Sequence, residues 1–221
     1  MFELFLDLVR VLHFLGFAVG IGAAVFLEGL VLSRARVAIE EEELALIEHG
    51  HRLILIALGV LWLSGLALIG LRTGFDSALI TGKMQMKMWV VAALTANAFV
   101  IAWVATPILR DALYRSLADM HDVSLAMIGG AAGLSAAGWL SALMLGAVSH
   151  LATMPIETLG PVFTAVLAAG AVGGAVFAVI IGRRDPVDPM QEGRVTMFLN
   201  LLIRKVITRG KQTRVSARPP T

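Results

Sequence analysis

The sequence predicts an all-α, polytopic membrane protein: a four-helix transmembrane bundle, a fifth transmembrane helix and a cytoplasmic amphipathic C-terminal helix. Three observations lead there. Of 221 residues, 58% are hydrophobic and only 15% charged, whereas an ordinary soluble domain carries about 25% charged residues to cover its surface. The mean hydropathy is +0.84. The apolar residues gather in five long runs separated by charged stretches.

The runs extend over about Val11–Leu32, Leu53–Leu71, Met88–Ile108, Val123–Val148 and Pro161–Ile181. Each is long enough, at about 1.5 Å per residue, to cross a hydrocarbon core of ~30 Å. Backbone N–H and C=O groups find no partner in lipid, so each run is expected as a helix. Pro161 suits a helix start and Pro107 a helix end. At the N-terminus Glu3 and Asp7 precede Arg10, so the basic leader of a signal peptide is missing. The first run is therefore expected as a retained helix.

Charge sets the expected orientation. Arg34, Arg36, Arg52, Arg110, Arg115 and the nine basic residues beyond Ile181 fall on one side, fourteen in all; Arg10, Arg72, Lys83 and Lys87 fall on the other. The positive-inside rule then places the N-terminus outside and the C-terminus in the cytoplasm of a bacterial-type inner membrane. The same segregation explains the high pI better than nucleic-acid binding does, and no nucleic-acid partner is expected. Trp89 and Trp103 fit interfacial anchoring. The domain boundary falls between the membrane domain, 1–182, and a basic tail, 183–221. Within the tail VTMFLNLLIRKVI, 195–207, alternates apolar and basic residues at helical spacing. Such a segment suits anionic lipid at the headgroup plane or the surface of another membrane subunit.

Three glycine pairs at four-residue spacing, Gly16/Gly20, Gly129/Gly133 and Gly170/Gly174, predict close helix contacts. The plainer reading is packing within the chain; dimerisation through the fifth helix is the alternative. Asn97 and Ser64, central in their runs, are expected to bond between helices. Glu28 is expected to pair with Arg52 or His51.

Ionisable and soft groups inside apolar runs are costly and mark candidate sites. His13 lies about a turn inside the first run, His150 closes the fourth on the same outer side, and Met154 follows a turn later. The third run begins KMQMKMW: Lys83 and Lys87 share a face, Met84 and Met88 a neighbouring one, and Met86 points away. Three readings stand. Imidazole and thioethers suit Cu(I), making His13, Met84, Met88, His150 and Met154 a metal site. His13 and His150 at matched depth suit axial ligation of a b-type haem. In the third, no cofactor is bound: His13 bonds within the bundle, the methionines fill space and the lysines snorkel. On the inner side stand His49, His51 and His121. His121 and His150 are 29 residues apart, about 43 Å along a straight helix, too far for two buried haems to share it. The inner histidines are therefore expected at the interface. The chain has no cysteine, which excludes thiolate metal sites, disulfides and thiol catalysis. It carries no recognisable catalytic motif.

The segment LHFLGFAVGIGAAVF is similar to the His-then-Gly first helix of CopD-like membrane proteins. RLILIALGVLWLSGLALIGL is similar to their second helix, which ends in a Gly-x-Leu element. TGKMQMKMWVVAALTANA resembles their Gly-to-Lys approach to the third, with Lys87 the matching lysine. The similarity covers roughly Leu12 to Pro107, with a weaker echo in the fourth run. The resemblance implies a four-helix bundle related to b-type cytochromes and a link to copper import or tolerance. The fifth run and the basic tail depart from a minimal four-helix unit. Copper binding or transport is thus the leading expectation. A b-type haem electron-transfer protein and a non-catalytic accessory subunit of a larger respiratory or photosynthetic complex are the alternatives.

Overall fold

The computed structural model describes residues 1–35 and 37–183, which form helices and no strand. Five helices are long and apolar enough to cross a membrane: α1 (Phe2–Ser33), α2 (Glu41–Thr73), α3 (Gly82–Asp111), α4 (Asp122–Ala147) and α5 (Ile156–Gly182). The expected amphipathic segment 195–207 lies outside the described residues.

Every predicted run is helical, and most helices start earlier than hydropathy alone places them. The early start of α2 is encoded by Glu40–Glu43. The Glu40 N–H donates to Glu43 Oε2 at 3.1 Å, and acids in the first turn complement the positive end of the helix dipole. Gly74 closes α2 at φ 60°, a left-handed conformation that costs glycine little. Thr81 Oγ1 then accepts the Met84 N–H at 3.3 Å and opens α3.

Both prolines correct the sequence reading. α3 does not end at Pro107 but runs on to Asp111, because Ile101–Ala105 forms a π turn. The proline ring crowds the carbonyl four residues back, and the wider turn makes room for it. Pro161 lies inside α5, which begins at Ile156. There it removes one backbone bond within the first two turns, which α5 tolerates.

α1 packs along α2 and α4 along α5; α3 touches α2, α4 and α5, while α1 also meets α4. The glycine pairs govern these approaches. A Cβ on Gly16 would stand 2.9 Å from Val60 of α2, and Gly20 accommodates the indole of Trp139 of α4. Gly129 and Gly133 face Gly174 and Gly170, backbone against backbone. The Gly170/Gly174 face is therefore covered within the chain, which is the plainer of the two expectations.

Leu58, Leu61, Val90, Leu94, Trp139 and Leu145 fill the space between helices. On the outside Leu63 and Trp103 are each 74% exposed, a distribution that suits lipid rather than water. Asn97 Nδ2 donates to the Ala131 carbonyl at 2.9 Å, the expected interhelical bond. At the N-terminal end of the bundle, Lys83 Nζ donates to the Val148 carbonyl at 2.7 Å and caps α4. At the opposite end the ion pairs Arg34–Glu43, Arg110–Glu48 and Arg183–Asp122 each join two helix ends. The two connections there are laced by backbone bonds, Tyr114 N–H to Ile39 O at 3.0 Å and Ala118 N–H to Ala35 O at 3.1 Å.

Candidate functional site

A cavity of about 490 Å³ lies toward the N-terminal end of the bundle, between α1, α2, α3 and α4. It exists because small residues oppose large ones: Gly65 of α2 and Gly146 and Ala147 of α4 leave room beside Phe14, Phe17 and Trp62. The Trp62 indole is held by donation from Nε1 to Thr95 Oγ1 at 3.1 Å.

His13 projects into this cavity from α1. Its Nδ1 lies 2.9 Å from Ser64 Oγ of α2, and the Ser64 hydroxyl donates to the Val60 carbonyl at 2.5 Å. A serine has one hydrogen to give. With that hydrogen on Val60, the His13 contact is Nδ1–H donating to Ser64 Oγ. The Nε2 lone pair is then free for a ligand. This is the arrangement by which an outer partner fixes the tautomer of a metal-binding histidine.

α3 supplies Met84, Lys87 and Met88, one helical turn apart or adjacent, and α2 supplies Arg72 at its last turn. Lys87 lies near enough to His13 for their charges to couple. Its own charged neighbours are the cations Lys83 and Arg72. No Asp or Glu lines the cavity among the described residues. The site therefore combines an imidazole lone pair, two thioethers, an aromatic wall and two positive charges.

Of the residues picked out in the sequence, His13, Met84 and Met88 line this one cavity. His150 and Met154 do not. His150 is exposed in the short 3₁₀ turn Ser149–Thr153, and Met154 packs partly buried against the core. Met86 is fully buried away from the cavity. Among the described residues no group of three or more His, Asp or Glu gathers as a metal site. Arg72 escaped the sequence reading because a lone basic residue at a helix end resembles an ordinary interfacial anchor.

At the other end, Glu28 pairs with neither Arg52 nor His51: its Oε1 is buried without a partner among the described residues, and Arg52 is exposed. His49 and His121 are exposed, but His51 is buried at 6% exposure. No family model, curated protein or solved structure matches the chain.

Proposed function

We propose that this chain is a multi-pass integral membrane protein whose N-terminal-end cavity binds a b-type haem for electron transfer. In this reading α1–α4 form the four-helix bundle around the cavity, α5 lies outside against α3 and α4, and the N-terminus faces away from the cytoplasm. One observation carries the proposal. Lys87 and Arg72 line the same cavity as His13 and the two thioethers, with no acid among them.

Arg72 is exposed but Lys87 is partly buried, and a cation partly withdrawn from water with no acid beside it favours an anionic ligand. A haem brings two propionates for Lys87 and Arg72, and a flat apolar body for Phe14, Phe17 and Trp62. His13 Nε2 and the thioether of Met84 or Met88 would be the residues that hold the iron, in place of the His13 and His150 pair of the sequence reading. Histidine with methionine is an established axial set for electron-transfer haems. When bound, the haem supplies the one-electron couple. Ser64 holds the His13 ring in place, and the surrounding side chains exclude water.

The second reading, Cu(I) held by His13, Met84 and Met88, is favoured by their shared cavity. The two cations oppose a bare cuprous ion. A visible spectrum separates the readings. A Soret band in the purified protein, lost in His13→Ala, supports haem. A colourless protein that takes up copper and not hemin would overturn haem in favour of copper.

A further inference from the structure

A second cavity, of about 360 Å³, lies toward the opposite end of the bundle and takes lining residues from all five helices. Its walls are mostly aliphatic, with Phe177 among them, and Gly129, Gly133 and Gly174, where α4 and α5 meet backbone to backbone, contribute main chain. The π turn of α3 contributes Ile101 and Ala105, and such turns recur at functional sites.

Four polar side chains line this space: Glu28 of α1, His51 of α2, Thr106 of α3 and Ser135 of α4. Glu28 Oε1 and His51 Nε2 are both buried and have no hydrogen-bond partner. His51 Nε2 donates or accepts according to the tautomer of the ring, and the Glu28 carboxyl according to its proton, so the pair can meet a carbonyl or a hydroxyl oxygen. Buried polar atoms without partners are uncommon and call for a ligand or water.

The chemistry narrows the ligand. No Lys or Arg lines the cavity among the described residues, so a phosphate or fatty-acid headgroup would meet an acid and no counter-charge. Two unpartnered groups on separate helices fit a head with polar atoms at both edges. A volume near the lower end of small-molecule pockets suits a ring better than a whole lipid. We infer that this cavity is a binding site for a lipid-soluble quinone or quinol, with Glu28 and His51 holding its two oxygens. The inference stands apart from the haem proposal, since the two cavities share no residue.

The test uses the full chain in detergent micelles with decylubiquinone as probe. Saturable binding of one molecule per chain is expected. His51→Leu and Glu28→Leu should each weaken it by about tenfold or more, the effect of losing a buried hydrogen bond. His13→Ala should bind the probe as the wild type does, and His51→Leu should keep the wild-type visible spectrum, so this inference and the haem proposal fail separately. Should a variant not fold, the wild type decides: decylubiquinone, and not decane, should raise its melting temperature. Equal, non-saturable uptake by wild type and His51→Leu would overturn the inference, as would a cavity holding water or phospholipid that the probe does not displace.

Discussion

Nδ1 of His13 on α1 lies 2.9 Å from Ser64 Oγ on α2, and that hydroxyl is itself committed to the Val60 carbonyl at 2.5 Å. The serine thus sets which nitrogen of His13 is free. Ser64→Ala should let the ring turn and exchange tautomers, and hemin affinity should fall by about 10–100-fold, the usual range for an outer partner of a metal ligand. Ser64→Thr, which keeps an oxygen, should recover most of it. Titration of hemin followed at the Soret band measures both; equal affinity for Ala and wild type would remove Ser64 from the site.

Lys87 makes haem and copper predict opposite signs. Lys87→Met removes one of two cations from the cavity lining while keeping much of its volume. A charged hydrogen bond is worth about 1.5–3 kcal/mol, so hemin affinity should drop at least about tenfold. A cuprous site would instead gain, having lost a repulsive neighbour. Parallel titrations with hemin and with Cu(I) on the same variant read the sign directly.

The five helices were legible because lipid imposes one rule on the whole chain: a long apolar run must close its own backbone bonds. The same rule hid the sites. Hydropathy cannot order helices in space, so His13 and His150 looked alike at matched depth, though only His13 turns inward. His51 was expected at the interface because His121 and His150, 29 residues apart, are too far from one another for two buried haems to share a helix. In the fold, helical rotation separates it from exposed His49 and Arg52 and turns it into the second cavity. Pro107 ended a helix on paper because a π turn leaves no mark in composition.

The closest α4–α5 approach rests on glycine. A Cβ on Gly170 would stand 2.6 Å from the Gly133 carbonyl oxygen, and no rotamer change relieves a backbone clash. Gly170→Leu should destabilise the protein by more than the roughly 1–3 kcal/mol of an ordinary overpacked core. Gly173, which has nothing near its Cβ position, should accept the same change. Thermal unfolding of the two variants in detergent checks the contrast, and equal melting temperatures would mean that α5 does not sit in this groove.

Orientation can be read with single cysteines, since the chain has none of its own. Gly74 is a poor choice because its φ of 60° strains any side chain. Ser77→Cys and Asp111→Cys lie at exposed positions at opposite ends of the bundle. A membrane-impermeant maleimide added outside intact cells should label Ser77→Cys and spare Asp111→Cys, following the positive-inside rule. The reverse pattern would invert the protein.

Glu43 shows how much rests on one buried carboxylate at the α1–α2 connection. Its side chain is 2% exposed, it pairs with Arg34 at 17%, and it also accepts the N–H of Glu40 that starts α2. Removing it leaves the Arg34 guanidinium half-committed, because Arg34 Nε is already buried without a partner. Breaking such a pair from one side costs about 3–5 kcal/mol, so Glu43→Ala should unfold at markedly lower temperature or denaturant. Glu43→Gln keeps the acceptor for Glu40 and loses only the charge, so its loss should be smaller. Arg183–Asp122 links helix ends in the same way but is largely exposed, and exposed pairs add little. Asp122→Ala should therefore leave stability near wild type. Unfolding in mixed detergent with rising dodecyl sulfate orders the three variants, and a Glu43→Ala protein as stable as Asp122→Ala would show that the buried pair does not fasten α1 to α2.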